Sequence, residues 1–387
     1  MNFYDVAVIG GGAAGMACAA RLSEYKNLKI ALIESADRLG KKLARTGNGQ
    51  GNISNIEMTP SHYHGGGACL AGKIACGDPY EGAKLFNLVC VADERGRIYP
   101  AGKQASALVD SLKFTLQKNG VEIMLSSTVI KMKNKGGFNF ELSDGSQISA
   151  KYAVICTGGV AQPVCKSQSP YALAQNAGHT VTEVYPSLVQ LKTDTANIKQ
   201  LKGIRADCAV TAINDKGQSA KARGDVIFVD YGVSGNAIFS VSPVFAGAKG
   251  EISLEFLPDI TQNTIENDIL NKKKLGYPAS ELLSGTLHNQ IGRAIIKRVG
   301  SDNPEKIAST VKIFTLSVTG NMGFDYAQVT RGGIKVSEIS DELESKLVKN
   351  LFFAGEVLDA DGDCGGYNLQ WAFTSAQKVA EAILKRL

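Results

Sequence analysis

The feature that most constrains this chain is a single turn near its start. In "DVAVIGGGAAGMACAARL" the short run from Asp5 breaks at once into Gly10-x-Gly12-x-x-Gly15, and an Ala-rich helical stretch follows. A strand, a glycine turn and a helix in that order are what a dinucleotide-binding unit requires. Gly10 allows the tight turn, Gly12 lets a pyrophosphate approach the backbone, and Gly15 lets the helix pack close to the strand. The helix start offers free N–H groups and a positive dipole end to the phosphates. A second strand, "KIALIE", ends at Glu34. A carboxylate there accepts hydrogen bonds from ribose hydroxyls and repels a 2′-phosphate, so the spacing predicts FAD or NAD rather than NADP.

Three further stretches favour FAD. The segment after Glu34, "SADRLGKKLARTGNGQGNISN", is too polar and too rich in Gly and Asn for a core element, and reads as a loop laid along a ligand. Val121 to Ile155 reads as four short strands with turns at Gly136-Gly137 and Asp144-Gly145, ending in "AVICTGG". A β-meander returning to such a strand is typical of FAD-binding folds. The third stretch is "NLFFAGEVLDADGDCGGYNLQWAF", where a buried strand stops at Gly355 and a helix of apolar period follows, with Asn368 as its cap. FAD is long enough for its pyrophosphate to sit on the first helix while the flavin ring reaches the second. A helix N-terminus near flavin N1 and C2=O stabilises the negative charge of the reduced ring. Glu356, Asp359 and Asp361 suit the ribityl hydroxyls.

The 387 residues are long for one core and imply two or three domains. From Ser187 the pattern changes to strands separated by Gly, Asn and Asp turns, with several short helices near Thr264 to Ser309 and a return to strand in "VKIFTLSVTG" and "AQVTRGGIKV". The expected division is an FAD-binding domain at 1–187 and 338–387, a β-barrel-like insertion at 188–260 and 310–337, and a helical subdomain at 261–309. The insertion is expected to cover the flavin face and shape a substrate pocket. A net charge of +5 with scattered lysines argues against a nucleic-acid partner. The absence of an 18-residue apolar run argues against a membrane span. The eight cysteines include no C-x-x-C pair and read as mostly reduced, in a cytoplasmic protein.

The segments "GKKLARTGNGQGNISN", "ERGRIYPAGKQASALVDSL", "YPSLVQL", "GDVIFVDYGVSGNAIFSVS", "AQVTRGGI" and "LFFAGEVLDADGDCGGYNLQWAFTSA", with the first turn, resemble the BaiN/YhiN-type flavoproteins, also labelled NAD(P)/FAD-dependent or aminoacetone-oxidase-type oxidoreductases. The resemblance spans the whole chain. It implies an α/β fold: a Rossmann-like FAD-binding domain with an inserted β-barrel-like domain and a small helical subdomain. The candidate cofactor contacts are Gly10, Gly12, Ala14, Gly15, Glu34, Ser35, Lys41, Lys42, Gly47, Asn48, Gly49, Asn52, Val129, Thr157, Gly158, Gly159, Gly355, Glu356, Asp361, Gly366, Asn368 and Leu369. Many members carry Arg-Cys where this chain has Gln50-Gly51, so no role of that pair carries over. The implied activity is reduction of a conjugated C=C bond in a 3-oxo steroid or bile-acid-like enone, a small-molecule substrate, by a monomer or homodimer. Only one dinucleotide fingerprint is visible, so NAD(P)H is expected to act as a transient electron donor at the flavin. The rivals are an amine or aminoketone oxidase using O2 and a non-enzymatic FAD-binding or RNA-associated protein.

Tyr367 and Arg331 each adjoin a glycine turn and are the candidates to donate a proton or hold a carbonyl oxygen. His62 and His64 in "HYHGGG" lack further ligands at metal spacing, so no metal site is expected. Cys364 reads as a small buried residue rather than a redox thiol.

Overall fold

The computed structural model describes residues 2–163 and 168–387. They form two units, Met1–Tyr185 with Val329–Leu387, and Pro186–Gln328.

In the first unit, β1 (Asn2–Ile9) is buried without interruption from Val6 to Ile9, as befits a strand with parallel neighbours on both sides. The glycine turn leads into α1 (Ala13–Ser23), in which Ala17, Cys18, Ala19 and Ala20 are buried. Side chains this small let the helix lie close to the sheet. The fully apolar β2 (Ile30–Ile33) runs parallel to β1, with Val6 opposite Ile30 and Ile9 opposite Ile33. A two-residue strand, β3 (Tyr63–His64), and the helix α2 (Ala105–Lys118) follow. The helix buries Leu108, Leu112 and Leu116 at four-residue spacing. Next come β4 (Glu122–Met124), β5 (Val129–Asn134), β6 (Phe138–Leu142) and β7 (Gln147–Ile155). The four strands expected from Val121 to Ile155 are present, but they do not form one meander. β4 covers the edge of β2 in parallel, and only β5, β6 and β7 are antiparallel to one another. β7 returns parallel to β1, giving the sheet order β4-β2-β1-β7-β6-β5.

The second unit is built on β8 (Leu191–Thr193), β9 (Arg205–Asn214), β10 (Ser219–Val229), β11 (Gly232–Ser234), β12 (Gly250–Glu255) and β13 (Phe314–Asn321). They close into a barrel in the order β8-β11-β10-β9-β12-β13. Cys208, Val210 and Ala212 on β9 and Phe314, Leu316 and Val318 on β13 alternate into one core, and closure leaves no free sheet edge. Between β12 and β13 lie α3 (Gln262–Lys274), α4 (Asn289–Val299) and α5 (Pro304–Lys312). Thr261 and Asn303 cap the first and last of these through their side chains, and Gly300 ends the middle one in a left-handed conformation.

The chain then completes the first unit. Val329–Arg331 is a short strand there. β14 (Leu351–Phe353) pairs in parallel with the end of β7, over Ala153 to Ile155, beyond the point where β6 leaves it. β15 (Asp361–Gly362) pairs antiparallel with β3. The final helix α6 (Tyr367–Leu384) packs on α1 and buries Trp371, Phe373, Ala376, Val379 and Ile383.

Candidate functional site

Two of the three fingerprint glycines are required by packing. A Cβ at Gly15 would run into the Gly10 carbonyl oxygen, and one at Gly10 would run into the Cys156 carbonyl at the end of β7. Gly12 differs, because a Cβ there meets nothing within 4 Å. The turn is closed where helix meets sheet and open at Gly12, which is the geometry a pyrophosphate at a helix start needs. Glu34 stands beside it. Its Oε2 accepts from the Gly11 N–H at 2.6 Å, and its Oε1 accepts from the Ala36 N–H at 2.7 Å and the Ser35 hydroxyl at 3.2 Å. Ser127 N–H donates to the Glu34 carbonyl at 2.9 Å, which sets the chain entering β5 and Val129 near the same turn.

The C-terminal turn reaches the same place. A Cβ at Gly355 would lie 2.8 Å from the Ala14 Cβ, so the two glycine-rich turns touch. Lys42 Nζ pairs with Glu356 Oε2 at 2.9 Å, while Glu356 Oε1 accepts from the Thr330 N–H at 2.9 Å. Thr330 Oγ1 in turn accepts from the Ala161 N–H at 2.9 Å, and a Cβ at Gly159 would press on both Thr330 and Glu356. Lys42, Gly159, Thr330 and Glu356 therefore come together from four separate stretches of sequence. Lys41 instead pairs with exposed Asp37 at 2.7 Å. Thr157 donates its hydroxyl to the Pro170 carbonyl at 2.6 Å, and Gly158 follows it at φ +73°. The polar loop turns sharply where Gly47, Asn48 and Gly49 take φ of +57°, +54° and +83°. Asn52 anchors its end by donating to the Ser54 and Ile98 carbonyls.

The loop from Asp361 to Gly366 is held from several sides. Arg331 grips the buried Asp361 carboxylate through Nε at 3.2 Å and Nη2 at 3.0 Å. Burial pushes the Asp361 carboxyl above its ordinary value, against the pull of Arg331. Asn368 does not cap α6, which starts one residue earlier with Gly366 at the N-cap. Its amide binds the preceding loop, with Oδ1 accepting from the Gly362 N–H at 2.8 Å and Nδ2 donating to the Gly362 carbonyl at 2.6 Å. Leu369, in the first turn of the helix, packs against the core of this unit. Cys364 is a neutral thiol, since burial raises its pKa more than Arg97 lowers it.

His62 and His64 meet a partner that sequence spacing did not reveal. His62 Nδ1 lies 2.9 Å from Asp363 Oδ2, and His64 Nε2 lies 2.7 Å from Asp363 Oδ1. His62 ends a tight turn over Pro60–His62 and His64 lies in β3, yet both rings reach the one carboxylate. Among the described residues no group of three or more His, Cys, Asp or Glu is placed to hold a metal ion. The Tyr367 ring stacks on His62, with centroids 4.1 Å apart, and meets Tyr63 edge-on. Thr330 was also missed, because nothing in "AQVTRGG" distinguishes a backbone amide that will meet Glu356.

Among the described residues no helix is long and apolar enough to cross a membrane. The family described as HI0933-like protein Rossmann domain matches residues 4–382. The chain is 29% identical to the 3-dehydro-bile acid delta(4,6)-reductase of Clostridium scindens, over 98% of this chain and 99% of that protein. It is 28% identical to the ribosomal RNA dihydrouridine synthase of Escherichia coli, over 99% of both. Among solved structures, the 3-ketosteroid delta1-dehydrogenase of Sterolibacterium denitrificans matches over 100% of both chains with a TM-score of 0.52 and 12% identity, a likeness of fold. The chain thus belongs to the HI0933-like family and has the Rossmann-type α/β FAD-binding fold of flavoprotein oxidoreductases, with a closed barrel inserted in it.

Proposed function

We propose that this protein is an FAD-dependent reductase of carbon–carbon double bonds conjugated to a carbonyl, with NAD(P)H as the electron donor. The observation that carries the proposal is the meeting of the two glycine-rich turns, Gly355 on Ala14, with Glu34 on one side and the Lys42–Glu356 pair on the other. Bound there, FAD supplies hydride chemistry at its ring. The chain's own residues orient it. The open Gly12 position and the start of α1 take the pyrophosphate, and Glu34 takes the ribose hydroxyls. Glu356 suits a ribityl hydroxyl, with Lys42 and the Thr330 amide fixing its carboxylate. The start of α6 offers free N–H groups to negative charge. Arg331 commits Nε and Nη2 to Asp361, which leaves Nη1 to donate to a carbonyl oxygen.

The two kinds of relative share one chemistry. A 3-oxo-Δ4,6 steroid and a uracil ring each carry a C=C bond conjugated to a carbonyl, and each is saturated by a hydride and a proton. The first substrate reading is a 3-oxo bile-acid-like enone, a small molecule that suits the weak, scattered net charge of +5. The second is uracil in ribosomal RNA, favoured by the relatives of that activity in Escherichia coli and in Haemophilus influenzae, the latter 28% identical over the full length of both chains.

The test is anaerobic. Purified protein is assayed for FAD by mass, reduced with NADH or NADPH, and mixed separately with a 3-oxo-Δ4 steroid, a ribosomal RNA fragment, and O2. The expected result is a yellow protein whose reduced flavin is oxidised by a conjugated alkene faster than by O2. A colourless protein that takes up no added FAD would sink the reading. So would rapid peroxide formation from an amine with no oxidation of the reduced flavin by either alkene, which is the oxidase outcome.

A further inference from the structure

We infer that His62 is the general acid of this reduction, held in its working orientation by Asp363; the assignment rests on the reductase reading above. Three restraints act on His62. Its Nδ1 lies 2.9 Å from Asp363 Oδ2. The Asp363 N–H donates back to the His62 carbonyl at 3.0 Å. The ring face stacks on Tyr367 at an interplanar angle of 20°. A carboxylate on Nδ1 fixes the tautomer and leaves Nε2 as the nitrogen that exchanges a proton. Among the described residues, the one hydrogen-bond partner of the His62 ring is Asp363 through Nδ1.

The dyad stands at the right end of the unit. Asp363 lies between β15 and the start of α6, the helix end assigned above to the flavin. β15 pairs with β3, so that His64 sits opposite Asp361. The His62 side chain is 22% exposed and that of Asp363 37% exposed, so this pair is not sealed in a core and can take protons from solvent. Burial opposes ionisation of Asp363, but the hydrogen bonds from His64 and His62 outweigh it and hold the carboxyl below the usual range. Asp363 is thus the anion at neutral pH. Tyr367 is the weaker candidate, because burial pushes its phenol up to about 12, and an efficient acid titrates near the working pH. Its ring serves as the surface on which His62 is stacked.

The step balances as follows. A hydride, carrying two electrons that originate in NAD(P)H, forms the C–H bond at the β-carbon as the π bond breaks. The displaced electron pair is delocalised onto the carbonyl oxygen. The α-carbon then takes the proton from His62 Nε2–H, the carbonyl re-forms, and the C=C bond has become a single bond. His62 is left neutral and regains its proton from solvent, while Asp363 stays ionised throughout.

The experiment compares wild type, His62→Gln and Tyr367→Phe, all loaded with FAD, in separate anaerobic half-reactions with an alkene that the wild type reduces. In His62→Gln, flavin reduction by NAD(P)H is expected to be unchanged, while reoxidation by the alkene slows by about 10²-fold or more, the usual range for a lost general acid. Tyr367→Phe keeps the stacking ring and removes only the phenol, and it is expected to slow alkene reoxidation far less than His62→Gln does. A second readout needs no turnover: nitrogen NMR of the apo-protein is expected to show the neutral His62 ring protonated at Nδ1, and Asp363→Asn to lose that preference. An Nε2–H tautomer in wild type overturns the assignment. So does a His62→Gln variant that is reoxidised at the wild-type rate, or one slowed equally in both half-reactions, which is the mark of a structural clamp. Each of these leaves the reductase reading standing. A wild type that reduces no conjugated alkene removes both.

Discussion

Glu34 divides its carboxylate between the Gly11 and Ala36 amides, so it braces the glycine turn from the end of β2. Glu34→Ala is expected to weaken FAD binding by about 1–3 kcal/mol, the range for removing a charged hydrogen-bond partner, while the protein stays folded. Calorimetric titration of the apo-protein checks this, and wild-type affinity would mean that Glu34 does not touch the ribose. That Glu34 stands beside the glycine turn was legible in the sequence, because the turn, the strand and the acid follow one another within a single βαβ unit, where local spacing sets position. The His62–Asp363 contact joins residues 301 apart, and no local period encodes it. Arg331 and Asp361 illustrate the same limit. Each was singled out by its own glycine turn, one for substrate and one for the ribityl chain, yet in the structure each is the other's partner. Asn368 was read as a cap because caps are asparagines at helix starts. The helix begins two residues earlier than that reading requires, because the left-handed Gly366 already makes the turn, which frees the Asn368 amide to hold Gly362.

At the scale of elements, the three fingerprint glycines separate into two kinds, and substitution should separate them too. A Cβ at Gly15 collides with the Gly10 carbonyl and would push α1 off β1. Gly15→Ala is therefore expected to cost about 1–3 kcal/mol of stability or more, as overpacking does, and to lower the melting temperature of the apo-protein. Gly12 has ordinary backbone angles, φ −80° and ψ −166°, and open space around it. Gly12→Ala is expected to melt like wild type without FAD and to bind FAD more weakly, because the methyl occupies the pyrophosphate's place. Thermal melts with and without FAD decide the matter, and equal apo destabilisation in both variants would show that Gly12 is also a packing glycine. The same contrast explains what was readable in the sheet. Buried runs such as Ile30 to Ile33 announce a parallel strand by composition alone. The three-residue β4 does not, since Glu122 to Met124 carries too few residues to show a period, and its place is set by the open edge of β2.

At the scale of the whole molecule, the sequence showed where the pattern of strands changes, near Ser187, because barrel strands alternate where the Rossmann strands run apolar. It could not show barrel closure, which depends on β8 meeting β13 across more than a hundred residues. The second unit is one continuous stretch, Pro186–Gln328, with a hydrophobic core of its own. The chain on either side of it meets within the first unit: the Thr182 N–H donates to the Gly333 carbonyl at 2.8 Å, and the Gly333 N–H donates to Thr182 Oγ1 at 3.0 Å. A short Gly/Ser linker can therefore replace 186–328 without stretching the ends apart. Every candidate cofactor contact, from Gly10 to Leu369, belongs to the first unit. The excised protein is accordingly expected to fold around its own core, to take up FAD, and to lose turnover of the substrate that the full chain reduces. Far-ultraviolet circular dichroism establishes folding and the flavin spectrum establishes uptake. A folded first unit that binds no FAD would mean that residues of the barrel unit complete the cofactor site. Full turnover by the excised protein would place substrate selection in the first unit as well, beside the His62–Asp363 dyad.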